Sequence, residues 1–175
     1  MTRKTFLDSS DSDSESDEET INRKYRIVAI GSRKSGKTSL IQRIQSNYFS
    51  IQYNPTNFIE IHNNVKFGDI VVDIWDVPPN ICKYYNVDTL KSDAILVMFD
   101  SDVDGSLNEA VGLWNILCDK LYKTETPEMW FVHRGEKPVR TEYCHPDRVF
   151  QIDNLSKDGI LDLIYDIRCK LIQRF

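Results

Sequence analysis

The chain is 175 residues long, 41% hydrophobic and 28% charged, which describes a soluble single domain able to bury a sizeable core. No apolar stretch approaches the ~20 residues of a membrane span. The N-terminus MTRKTFLDSS lacks a signal-peptide pattern, and the four cysteines (Cys82, Cys118, Cys144, Cys169) include no CxxC pair, so a reducing, cytoplasmic setting is expected, without a zinc site or disulfide framework.

The net charge of −5 arises at the start of the chain. Residues 1–20 carry seven acidic side chains (Asp8, Asp11, Asp13, Glu15, Asp17, Glu18, Glu19) against Arg3 and Lys4, whereas residues 21–175 hold 20 of each sign. The remainder therefore has no overall bias towards nucleic acid. SSDSDSESDEET (9–20) contains no aliphatic or aromatic residue to offset the entropy of ordering, so residues 1–22 read as a disordered acidic tail. The tail is either a solvating segment or a target of an acid-directed kinase. Ser10, Ser12, Ser14 and Ser16 each have an acidic residue three positions on.

Residues 23–175 form the expected domain. Tyr25–Ile30 (YRIVAI) reads as a buried strand, and Thr38–Ser46 as a helix with Leu40, Ile41 and Ile44 on one face. Residues 47–57 are polar and contain Pro55, which suits a loop. Phe58–Ile61 alternates, Ile70–Trp75 is apolar, and Phe67-Gly68-Asp69 between them suits a hairpin turn. Pro78-Pro79 breaks the chain. Ala94–Phe99 (AILVMF) is apolar throughout, as a central parallel strand should be. A helical period covers 106–122, strands follow at Met129–Val132 and Val149–Ile152, and a last helix covers about 156–173. This alternation predicts an α/β domain: a mostly parallel six-stranded sheet with one antiparallel strand and helices on both faces.

Between the first strand and helix lies Gly31-Ser32-Arg33-Lys34-Ser35-Gly36-Lys37-Thr38, followed by Ser39. It satisfies GxxxxGK[ST] in the strand–loop–helix setting that the motif requires. Its glycines let successive N–H groups face inward as an anion site, and the positive end of the helix adds to them. Lys37 is the point charge for the outer phosphates, and the Thr38 hydroxyl is a Mg²⁺ ligand.

From about Tyr25 onward the chain resembles the Ras-like small GTPases, the Rab branch in particular. Tyr53-Asn54-Pro55-Thr56 resembles the first switch, in which the resemblance implies that Thr56 binds Mg²⁺ and senses the γ-phosphate. Ile74-Trp75-Asp76 is similar to the end of the third strand, which implies that Asp76 holds the metal through water. Asp100, Ser106-Leu107 and Trp114 fit the fourth strand and the helix after it. The implied fold is a Ras-like G-domain, and the implied cofactors are GTP or GDP with Mg²⁺.

The departures bear on activity. Where the family has DxxG and then glutamine, this chain reads Asp76-Val77-Pro78-Pro79-Asn80. Pro79 has no N–H for the γ-phosphate, and Asn80, a weak catalytic candidate, is one methylene shorter than the water-orienting glutamine. Arg33 stands where a glycine favours hydrolysis. Arg33 and Lys34 either hold phosphate while crowding hydrolysis or turn to solvent. In place of NKxD the chain has His133-Arg134-Gly135-Glu136. Glu136 would accept from guanine and Arg134 would lie over the base, while His133 reads equally as an ordinary strand-end histidine. Asp153-Asn154-Leu155 replaces the element that closes the base site, which assigns Asn154 to the nucleotide. Segment 137–148 is short, so the family's helix there is expected as a loop.

No prenylation motif is present: the fourth residue from the end is Ile172, and Cys169 lies within the last helix. The expected function is that of an atypical small GTPase with slow or absent hydrolysis, acting on effector or regulatory proteins through loops 47–57 and 76–90. A pseudo-GTPase scaffold with weak or no nucleotide binding is the alternative, and a small-molecule kinase is a third reading that lacks a visible lid.

Overall fold

A computed structural model describes residues 23–82, 84, 91–121, 127–139 and 148–174, with Lys120 and Leu121 described by backbone only. Residues 1–22, expected as a disordered tail, most of 83–90, and most of 137–148, expected as a loop, lie outside the described residues.

The described elements in chain order are β1 (Lys24–Gly31), α1 (Lys37–Ser46), β2 (Glu60–Phe67), β3 (Ile70–Asp76), α2 (Pro79–Cys82), β4 (Ala94–Asp100), α3 (Ser106–Leu121), β5 (Glu128–Arg134), β6 (Val149–Gln151) and α4 (Ile160–Gln173). The six strands form one sheet in the order β2-β3-β1-β4-β5-β6. β2 pairs with β3 antiparallel, and every other pairing is parallel. The α/β fold expected from the alternation of elements is thus observed.

Strand side chains alternate between two faces, and both faces are covered. On one side Ile27, Ala29, Leu96, Met98 and Trp130 pack against Leu40 and Ile41 of α1 and Leu163, Ile167 and Leu171 of α4. On the other side Val28, Ile30, Val97, Phe99 and Phe131 pack against Ala110, Leu113 and Leu117 of α3 and Cys82 of α2. This double burial explains why β1 and β4 read as unbroken apolar runs.

Three boundaries differ from expectation. β2 starts at Glu60 and runs to Phe67, because as an edge strand it buries only Val65 and Phe67 and so carries polar residues that mask it. The register shifts between His62 and Val65, with Asn64 at φ 58, and the hairpin turns on Gly68 at φ 66. Pro79 starts a helix rather than ending order, since a first-turn proline lacks only an N–H that has no helical partner. α4 begins at Ile160, not 156. The Asp153 carboxylate takes the Leu155 N–H at 2.7 Å, and Gly159 at φ 72 re-aims the chain before the helix.

The parallel strands bring their C-terminal ends to one edge. Ala29 pairs with Asp76, Gly31 with Met98, and Asp100 with Arg134. β1 has β3 on one side and β4 on the other, so the chain reverses its direction of travel across the sheet at the loop after β1. A crevice at that position is where open α/β sheets bind ligands.

Candidate functional site

The loop after β1 is shaped by its glycines. Gly31 has φ 143, and a Cβ there would stand 1.9 Å from the Met98 carbonyl oxygen on β4. Gly36, at φ 89, is the N-cap of α1 and provides no side-chain hydrogen bond to the helix. The first-turn amides are therefore left uncapped by any side chain beside the positive helix end. Lys34 also adopts a left-handed conformation, at φ 58.

Lys37 is turned inward. It is 7% exposed, and its ammonium donates to the carbonyls of Gly31 (3.1 Å) and Ser32 (2.8 Å) and to Ser35 Oγ (3.3 Å). Burial lowers its pKa, and the nearby Asp76 charge opposes that shift. Gly31 and Ser32 thus contribute backbone to the floor of the loop. The Ser32 hydroxyl faces away, 2.6 Å from that of Ser106.

The three residues assigned to metal come together from distant parts of the chain. Thr38 Oγ1 donates to Asp76 Oδ2 at 2.5 Å and lies 3.0 Å from Thr56 Oγ1. Asp76 is fully buried, and desolvation pushes its pKa up against the Thr38 hydrogen bond and the Lys37 charge. Its Oδ1 has no hydrogen-bond partner among the described residues. A buried, unpartnered carboxylate oxygen beside two hydroxyls is a hard-oxygen donor set that fits Mg²⁺, which takes one or two carboxylates and completes its sphere with phosphate and water. No group of three or more His, Cys, Asp or Glu forms a metal cluster among the described residues.

Lys37, Thr38 and Thr56 border a cavity of about 460 Å³, and Asp76 is held behind Thr38. Its described lining includes Arg33, Lys34, Lys37 and Arg134 but no carboxylate, so its field favours an anion. Ser35, Gly36, Thr38 and Ser39 form one wall, the first-switch residues through Thr56 another, and Pro78, Pro79 and Asn80 a third. Ile81 and Cys82 donate their N–H groups to the Pro78 carbonyl (3.0 and 3.2 Å), while the two prolines present no N–H to the cavity. Arg33 and Lys34 line the rim with exposed side chains, and the Lys34 ammonium lies 5.4 Å from the ring centroid of Tyr53.

The base end is only partly as read from the sequence. Arg134 lines the cavity, its guanidinium held on Asp100 Oδ2 through Nε (2.8 Å) and Nη2 (2.7 Å). Asn154 is buried beside it; its Nδ2 donates to the Gly36 carbonyl at 3.3 Å, and its Oδ1 has no partner among the described residues. Glu136 does not join them. It is exposed, is absent from the cavity lining, and its N–H donates to Asp102 Oδ1 at 3.0 Å. His133 is a buried strand-end residue, stacked on Phe99 with centroids 5.4 Å apart.

Two residues have a place at the site that the sequence did not assign them. Asp100 holds Arg134, and its only local signal is a charge ending an apolar run. Arg43 donates to the carbonyls of Asn47 (2.9 Å), Asn154 (2.8 Å) and Leu155 (2.9 Å) and lies 5.4 Å from the Phe49 ring centroid. It thereby ties α1 to both the first-switch loop and the base-end loop. No local spacing announces such a bridge.

Residues 26–125 match the family model described as "Ras of Complex, Roc, domain of DAPkinase". The chain is also similar to the GTP-binding protein Rhes of Mus musculus and of Rattus norvegicus, 28% identical to each over 130 residues. Those alignments cover 69% of this chain and 48% of each relative, so the chain spans about half the length of the curated relatives it matches.

Proposed function

The chain belongs to the Ras-like GTPases, in the family of the Roc domain, and on that premise we propose that it binds GTP and GDP with Mg²⁺, hydrolyses GTP slowly or not at all, and acts through partner proteins. The observation that carries the proposal is the meeting of Lys37, Thr38, Thr56 and Asp76 beside a cavity with four cations and no carboxylate in its described lining.

In this reading the uncapped amides of α1 and the Lys37 ammonium hold the β- and γ-phosphate oxygens. Thr38, Thr56 and Asp76 would hold Mg²⁺, which when bound would neutralise phosphate charge. Arg134, fixed by Asp100, lies against the base, and Asn154 closes the base end. Glu136 contributes no contact, so selection of guanine rests on Arg134, Asn154 and backbone groups. Slow hydrolysis follows from Pro79, which has no N–H to offer the γ-phosphate, and from the short Asn80. Loops 47–57 and 76–90 present the partner-facing surface. A second reading, a scaffold that binds nucleotide weakly, is favoured by Pro78 and Pro79, whose fixed φ angles stiffen the second switch.

The test is the nucleotide content of the purified protein together with its melting temperature. We expect GTP or GDP near one per chain. Added GTP and Mg²⁺ at about 100 times Kd should stabilise the native state by about 2.7 kcal/mol, an effect that Lys37→Ala abolishes while leaving the chain folded. An empty protein whose melting temperature ignores both additions would support the scaffold instead. Rapid single-turnover hydrolysis would refute the role given to Pro79 and Asn80.

A further inference from the structure

The first-switch loop is tied to the rest of the molecule at three separated points, each by side chains of this chain. Phe49, near its start, lies under the guanidinium of Arg43. Thr56, near its end, meets Thr38. Between them Tyr53 packs under the ammonium of Lys34, 5.4 Å from the ring centroid. Lys34 is a non-glycine residue at φ 58, in the loop after β1, and Tyr53 lines the same cavity. Both side chains are exposed, so the contact lies at the cavity's rim, where a lysine and an aromatic ring attract each other through the ring's quadrupole without a hydrogen bond.

We propose that Lys34 and Tyr53 form a latch across the mouth of the cavity, which holds the first-switch loop closed over the phosphates and slows their exchange. The proposal rests on the nucleotide reading above and adds two positioning residues to it. Lys34 acts through Tyr53 rather than on the phosphate chain directly. The closed loop depends on the ring of Tyr53 rather than on its hydroxyl. Arg33, beside it, is equally exposed at the rim, but only Lys34 has a described contact with the ring of Tyr53. The attraction is modest because Tyr53 is 52% exposed, which suits a contact that must open for the ligand to leave.

Two measurements on the full chain test it. The first is dissociation of a fluorescent GDP in the presence of Mg²⁺. Lys34→Met and Tyr53→Leu should each speed release about two- to fivefold, the range expected of an exposed cation–π pair. Lys34→Arg and Tyr53→Phe should leave it unchanged, and the double variant Lys34→Met/Tyr53→Leu should be no faster than the faster single. Effects that multiply in the double variant, or a Tyr53→Phe as fast as Tyr53→Leu, would overturn the latch. The second is amide hydrogen exchange across 51–56 with no nucleotide added. It should rise about two- to fivefold in Lys34→Met and Tyr53→Leu. Unchanged exchange overturns the latch. A protein that binds no GDP but shows this exchange pattern keeps the latch and refutes the nucleotide reading.

Discussion

Lys37 and Asp76 are two buried charges of opposite sign, held together less by a direct ion pair than by what surrounds them. The loop carbonyls and Ser35 accept hydrogen bonds from the lysine's ammonium, while Thr38 donates to the aspartate. The lysine has an acceptor for each of its three N–H groups, but Asp76 is costly in an empty core, since its buried Oδ1 has lost water without gaining a partner among the described residues. It is the arrangement expected where a cation completes the carboxylate's shell. His133 is a third buried titratable group. It stacks on Phe99, its Nδ1 is unpartnered among the described residues, and burial lowers its pKa below the ordinary 6.5 although the Arg134 backbone and the Asp102 charge oppose the shift. The unfolded chain therefore takes up the proton more readily than the folded one. The His133 contribution to stability is fully present above pH 6.5 and is lost as pH falls through the lower folded value. His133→Phe should accordingly lose less melting temperature than the unaltered chain between pH 7 and pH 5, as read by calorimetry at matched ionic strength.

Individual elements show which glycines the fold requires. At the end of β1, Gly31 faces the β4 backbone so closely that any Cβ would collide with the Met98 carbonyl, and its φ of 143 disfavours a side chain in any case. Gly31→Ala should destabilise the protein by about 3 kcal/mol, through strain and displaced strand pairing. Gly112 is the contrast. It lies within α3, and a Cβ there would meet nothing within 4 Å, so Gly112→Ala should stabilise by about 0.5–1 kcal/mol by restricting the unfolded chain. Urea melts of the two variants should shift in opposite directions. Gly31 is also the first glycine of the GxxxxGK[ST] pattern, so the close backbone approach and the motif fall on one residue.

At the scale of the molecule, one sheet separates two apolar layers, and the site straddles its C-terminal edge without belonging to either. Ile167 of α4 packs in one layer and Leu117 of α3 in the other. Ile167→Ala and Leu117→Ala should each cost about 2–5 kcal/mol. Together they should be additive within about 0.5 kcal/mol, because the two residues share no packing partner. Chemical denaturation of the singles and the double decides this, and a large coupling would mean that the sheet transmits strain between its faces. Among the described residues no helix is long and apolar enough to cross a membrane.

Sequence alone was sufficient for whatever depends on neighbours along the chain. The phosphate loop is a local matter of glycine conformation, one lysine and one hydroxyl, all within eight residues. The apolar runs of β1 and β4 follow from burial on both faces. β2 was misread for the complementary reason: an edge strand facing water has little apolar periodicity to detect. Tertiary structure decided what depends on distance through space. Only the parallel register lays Arg134 beside Asp100, and only the packing of loops and helix on the sheet edge sets Thr38 against Asp76 and brings Tyr53 to Lys34. The turn after β5, by contrast, carries Glu136 away from the cavity although its spacing matched a base-reading acid. Hydrogen bonds and charge contacts act over a few ångströms, and which residues lie that close is settled by how the sheet is assembled, not by their order in the chain.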